Sequence, residues 1–189
     1  KAAGFEEIKE NKEWNLDAGK YFVKRNDSTI AAFVIPVSRE IEGFHIVAAH
    51  SDSPTFKVKE NPELSADKKY TKLNVEKYGG MLCAPWFDRP LSVAGRVLIR
   101  TEEGMKTVLV NVDRDLLMIP NLAPHLNPDV NNGYKYNMKT DMMPVLGTLP
   151  ASGSDAAKPS LAALLASEAG VAAEDIICTD IYLYNRQQG

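Results

Sequence analysis

Hydrophobic residues in this chain fall mostly into short runs of strand length, separated by polar, glycine- or proline-bearing punctuation. Residues 20–25 and 29–36 are apolar, β-rich runs on either side of Asn26-Asp27-Ser28, which predicts a hairpin. Gly43-Phe-His-Ile-Val-Ala-Ala-His50 is continuously apolar, which predicts a central strand of a helix-covered sheet, buried on both faces. It ends on the polar stretch His50-Ser-Asp52-Ser-Pro54, at the expected carboxyl end of the strand, where ligand sites gather in open α/β sheets. Phe56-Lys-Val-Lys59 alternates, and residues 92–100 and 106–112 are β-rich runs that predict a second hairpin through Glu102-Glu103-Gly104. Residues 176–184 return to a strand-like run. Two segments read as helical. Residues 5–11 predict the tail of a helix, and residues 159–170 a helix with Pro159 in its first turn and Gly170 at its stop. Residues 113–150 are proline-rich without a clear period and predict loop with short elements, and residues 151–158 predict a small, polar loop. The pattern is α/β at the ends with a β-rich middle.

Composition narrows the classes. A length of 189 residues suits one domain or two small ones and permits a real core, with roughly 70% of the unfolded surface buried. Hydrophobic residues at 44% and charged residues at 25% are globular values and argue against disorder. The net charge of −3 supplies no basic field for nucleic acid or an anionic membrane, and no apolar run reaches the ~18 residues of a membrane span. The first residues carry no signal-peptide core and no initiator Met, so a trimmed start is expected. Two cysteines, Cys83 and Cys178, are too few for a disulfide framework, and a cytoplasmic location is expected.

The sharpest local feature is His50-x-Asp52. On an extended backbone the two side chains project to the same side. A metal-bound imidazole usually donates its other N–H to a carboxylate, which fixes the tautomer, and Asp52 is spaced for that task or for orienting a metal-bound water. The competing reading is a capped turn in which Ser51 and Asp52 bond local backbone. One imidazole does not hold zinc, which takes three or four protein ligands. Other candidates carry less. Cys83 with His125 has the elements of a thiolate–imidazole pair but no supporting spacing, and a buried inert Cys is the simpler reading. Trp86-Phe-Asp-Arg89 reads either as a recognition patch or as a packed Trp beside a local ion pair. His125 lies in a proline-bounded loop, His45 reads as a core or sheet-face residue, and Tyr78-Gly-Gly80 lacks the Lys-Ser/Thr of a phosphate loop.

Taken in order, Ala48-Ala-His50-Ser-Asp52-Ser-Pro54-Thr-Phe-Lys57, Tyr78-Gly-Gly-Met-Leu-Cys-Ala-Pro-Trp86-Phe-Asp-Arg89-Pro-Leu-Ser-Val-Ala-Gly95-Arg, Ile119-Pro-Asn-Leu-Ala-Pro-His125-Leu, Ser160-Leu-Ala-Ala-Leu-Leu and Asp180-Ile-Tyr-Leu-Tyr184-Asn resemble the M18 family of metalloaminopeptidases, the aspartyl aminopeptidases. The resemblance implies an α/β zinc-peptidase domain interrupted by an inserted, β-rich dimerisation domain. Residues 1–56 would be the first part of the peptidase domain, 57–174 the insert and 175–189 the strand returning toward the peptidase domain. It implies two zinc ions per subunit, release of one N-terminal residue, preferably Asp or Glu, from a peptide, and dimers that build a dodecamer. Neither nucleic acid nor membrane is an expected partner. Carried over by position, His50 would ligate a metal, Asp52 would be the catalytic carboxylate behind it, and His125 would reach across a dimer interface toward the partner's substrate pocket. The family's bridging Asp, its Glu-Glu pair with the general base and its later Asp and His ligands have no counterpart in these residues. Glu102-Glu103 lies in the hairpin turn, and Asn185 stands where the family often carries Asp. The expectation is therefore a portion of such an enzyme, inactive alone. The rival expectation is a non-catalytic oligomerisation module derived from one.

Overall fold

The computed structural model describes residues 2–38 and 40–187. They form two compact units, Lys1–Ser51 and Asp52–Gly189.

In the first unit, β1 (Glu6–Glu7), β2 (Gly19–Arg25) and β3 (Thr29–Ile35) make a three-stranded sheet in that order. The β2–β3 hairpin is the one the sequence predicts. Its turn places Asn26 and Asp27 both at φ 52°, a left-handed conformation that these short polar side chains tolerate. Two expectations are corrected here. Residues 5–11 are not a helix tail. Glu6 and Glu7 pair parallel to Tyr21 and Phe22, the Ile8 amide donates to the Phe22 carbonyl, and Lys24 reaches Glu7 at 3.3 Å. A run this short gains too few helical hydrogen bonds to offset nucleation, whereas the edge of β2 offers it unpaired backbone groups. Residues 43–50 form no strand, and Phe44 and Val47 are 81% and 97% exposed. A strand with two apolar faces needs neighbours for its backbone groups and cover for both faces. Within this unit, the three strands pair with one another and not with residues 43–50. His45, expected in the core or on a sheet face, is exposed with them.

The second unit is a six-stranded antiparallel sheet in the order β7-β6-β9-β4-β5-β8. Its strands are β4 (Thr55–Ala66), β5 (Tyr70–Tyr78), β6 (Leu91–Thr101), β7 (Gly104–Asn111), β8 (Val145–Thr148) and β9 (Ile176–Asn185). Period-two alternation makes one face apolar. Phe56 and Val58, Leu73 and Val75, Val93 and Val97, and Ile181 and Leu183 are all buried in one core. Leu117, Ile119 and Met142 from the proline-rich segment cover that face, with Leu161 and Leu165 of the helix α1 (Leu161–Ala169). β4 breaks register between Val58 and Glu63, where Pro62 removes a ladder donor.

The α1 caps are legible in the sequence, with one shift. Ser160, not Pro159, begins the helix. The Ser160 Oγ accepts from the Ala163 amide at 3.3 Å, and Glu63 Oε1 of the β4 bulge accepts from the Leu161 amide at 2.7 Å. Pro159 stands outside the first turn, against Gly147, whose absent Cβ would lie 2.9 Å from the proline ring. Gly170 at φ 69° closes the other end. Gly95 permits the sheet's closest approach, since a Cβ there would sit 2.1 Å from the Asp180 carbonyl oxygen. The β-rich part of the expected architecture is thus present, with one α-helix among the described residues.

Candidate functional site

The outer face of the six-stranded sheet carries Lys57, Arg96, Asp180 and Tyr182 alongside the exposed apolar Met105 and Leu109, and Asp52 lies three residues before β4. Thr55 opposes Tyr78 in register, so the last residue of β5 lies beside the first of β4. The chain leaves β5 at Gly79, φ 78°, with room for only van der Waals contact against Pro54. From there the Tyr78 hydroxyl donates a hydrogen bond to Asp52 Oδ2. That bond to the carboxylate, which favours the neutral phenol, raises the Tyr78 pKa, so Tyr78 is a proton donor throughout the neutral range.

Behind Tyr78 the contacts run across the sheet. Its ring meets Tyr182 of β9 edge to face, centroids 5.6 Å apart at 71°. Lys57, which pairs with Tyr182 in the ladder, holds its ammonium 5.6 Å above the Tyr182 ring. The same ammonium lies 3.0 Å from Asp180 Oδ1, as an ion pair rather than an aligned hydrogen bond. Arg96 Nε donates to Asp180 Oδ2 at 3.1 Å. Burial works to raise the Asp180 pKa, but Lys57, Tyr182 and Arg96 outweigh it and hold the carboxyl below its usual range. Lys57 is raised chiefly by its bond to Asp180. Burial, then hydrogen bonding to Asp180 and its charge, raises Tyr182. The result is a neutral hydroxyl presented to Asp52 and braced by a half-buried ion-pair network on β4, β6 and β9.

The other sequence candidates are placed as follows. His50 is exposed, at the end of the 43–50 segment, which has no regular secondary structure. His125 is exposed in a turn closed by the Leu126 and Asn127 amides donating to the Ala123 carbonyl. That loop is anchored by Asp88, whose carboxylate accepts from the Asn121 amide and whose own amide donates to the Ile119 carbonyl. Asp88 therefore binds backbone instead of pairing with Arg89, which donates to Gln187. Trp86 is half-buried against the core, its ring edge to face with Phe56 at 5.2 Å and 83°, which favours the packed reading of that block. Cys83 packs against the same core and Cys178 is exposed, and neither is in a disulfide.

Among the described residues no group of three or more His, Cys, Asp or Glu side chains is arranged to hold a metal ion. The donor set present does not fit a zinc site, which takes three or four ligands. No helix of the described residues is long and apolar enough to cross a membrane.

Sequence reasoning missed Tyr78 as the partner of Asp52 and Tyr182 as the neighbour of Tyr78. The available signal was the alternation Asp180-Ile-Tyr182-Leu-Tyr184, which sends the polar members to the face opposite Ile181 and Leu183.

Comparison with known proteins agrees along the whole chain. The family model described as Aminopeptidase I zinc metalloprotease (M18) matches residues 1–189. A probable M18 family aminopeptidase 2 of Clostridium acetobutylicum is 45% identical over 192 residues, covering 98% of this chain and 43% of the relative. Among solved structures, mApe1 of Chaetomium thermophilum has a TM-score of 0.79 at 30% identity, covering 98% of this chain and 45% of that one. A chain of the Ape4 and Nbr1 complex has a TM-score of 0.83 at 33% identity, covering 98% and 39%. The chain spans less than half the length of the curated relatives it matches.

Proposed function

The chain belongs to the M18 family of aminopeptidases, and from that premise we propose that it is the portion of a dizinc aminopeptidase that contributes His50 and Asp52 to the catalytic centre. The observation that carries this reading is the Asp52 carboxylate, held by Tyr78 at the head of β4, two residues after an exposed imidazole. His50 would supply one ligand to a zinc ion, and Asp52 would orient that imidazole or a water. The remaining ligands and the general base come from the length of the relatives that these residues do not span. Zinc bound by the complete ligand set would polarise the substrate carbonyl and acidify a water toward neutral pH.

In this reading residues 1–56 begin an α/β peptidase domain, 57–174 form its inserted dimerisation domain and 175–189 lead back toward it. His125, in its exposed turn, reaches the substrate pocket of a partner subunit in a homodimer, and dimers assemble further into a dodecamer. The substrate is a peptide with N-terminal Asp or Glu. The two unpaired cysteines suit the reducing cytoplasm.

The test uses the full-length protein with aspartyl, glutamyl and leucyl p-nitroanilides. Zinc-dependent release is expected, fastest from the acidic substrates, with His50→Ala and Asp52→Ala reducing kcat/KM at least a hundredfold. The 189-residue chain with added zinc is expected to release nothing. Full activity in His50→Ala overturns the assignment, and a full-length protein that assembles but never hydrolyses establishes the oligomerisation module instead.

A further inference from the structure

We propose that Tyr78 is a positioning residue for the hydrolytic reaction, fixing the plane of the Asp52 carboxylate through its hydroxyl and braced from behind by Tyr182. This rests on the reading of Asp52 given above. Asp52 stands three residues before β4, in backbone without regular structure, so the strand ladder does not set its side-chain torsions. A carboxylate that must orient an imidazole or a water needs both torsions fixed, because a displacement near 1 Å costs heavily in rate.

Tyr78 is suited to fixing them. It ends β5 and its backbone is tied to Thr55 across the ladder. Thr55 is tied in turn to β9, its Oγ1 donating to the Leu183 carbonyl. The ring is held at its edge by Tyr182, which lies under the Lys57 ammonium; Lys57 pairs with Asp180, and Arg96 holds the other oxygen of that carboxylate. The donor to Asp52 thus stands on four paired strands. A hydroxyl donating to a carboxylate makes a charge-assisted bond, about twice as strong as a neutral one. With its pKa raised by Asp52, the phenol does not lose its proton near neutral pH.

The experiment measures steady-state kinetics of the full-length enzyme on its best aminoacyl p-nitroanilide. Tyr78→Phe keeps the ring against Tyr182 and removes only the hydroxyl. It is expected to lower kcat about tenfold with KM within twofold, bound zinc by metal analysis unchanged and the melting temperature unchanged. Tyr182→Ala leaves the hydroxyl but removes its brace, and is expected to lower kcat about threefold. It keeps the inference testable should Tyr78→Phe fold poorly. In an Asp52→Glu background, Tyr78→Phe is expected to add less than twofold, because the hydroxyl acts through that carboxylate. An unchanged kcat in Tyr78→Phe overturns the inference, as does an equal fall in both backgrounds, which marks an independent structural role. An active Asp52→Ala refutes the reading of the site itself. An inactive Asp52→Ala beside a fully active Tyr78→Phe refutes only the role of Tyr78.

Discussion

Replacing Gly95 by Ala tests how the six-stranded sheet is closed. A Cβ at this position would lie 2.1 Å from the Asp180 carbonyl oxygen and 3.0 Å from Ile181 Cα, against 3.4 Å for ordinary contact. The methyl is short of room by about 1.3 Å, and the obstacle is backbone, which no rotamer change removes. The strands are only about 4.8 Å apart, so opening β6 from β9 by that amount breaks the ladder on either side of the Gly95–Ile181 pair. Two ladder hydrogen bonds at a net ~1 kcal/mol each, with about 1–3 kcal/mol of overpacking strain, give an expected loss of about 3–5 kcal/mol. Ala94→Gly, one residue away, costs only about 0.5–1 kcal/mol through backbone entropy and serves as the control. The assay is urea unfolding of the 189-residue chain followed by Trp86 fluorescence, with Trp14→Phe in every protein so that only the second unit is read. A Gly95→Ala loss below 1 kcal/mol would mean that the two strands are not held this closely and would refute the reasoning. Because Asp180 pairs with Arg96 beside this contact, the same variant is expected to loosen the network behind Tyr78.

Two further outcomes follow from the packing and the charges. Trp86→Ala removes the ring that meets Phe56 at 5.2 Å. It should cost about 2–4 kcal/mol of stability while sedimentation shows the same association state, and a stable variant that dissociates would make Trp86 an interface anchor instead. Asp180→Asn tests the ion-pair network by pH. The Asp180 carboxyl is depressed in the folded chain, so its contribution is present above the ordinary carboxylate pKa of about 4 and lost as pH falls through the lower folded value. The stability gap between wild type and Asp180→Asn should therefore be widest at pH 5–7 and close below about pH 4. A gap that is constant from pH 6 to pH 3 would show that the pairing contributes nothing.

Local chemistry made much of this protein readable from its residues alone. The β2–β3 hairpin follows from Asn26 and Asp27, which accept left-handed backbone, and the β6–β7 hairpin from Gly104. Gly170 marks the end of helix α1, and the alternation of Phe56-Lys-Val-Lys59 marks Phe56 and Val58 as core. The M18 family was legible too, because its blocks lie in order along these residues. Such features depend on a few neighbouring side chains. What tertiary structure alone decided depends on partners distant in sequence. Residues 43–50 have every local mark of a buried strand yet lie exposed, because a strand exists only where other strands pair with it. Residues 5–7, read as helical, became β1 because the edge of β2 was there to pair with. Asp52 meets Tyr78, 26 residues later, because the β4–β5 register sets Thr55 opposite Tyr78, and Tyr182 reaches the Tyr78 ring only because β9 inserts between β6 and β4 and aligns Tyr182 with Lys57. That register is set by which faces must be buried across the whole sheet, so no local stretch of sequence contains it.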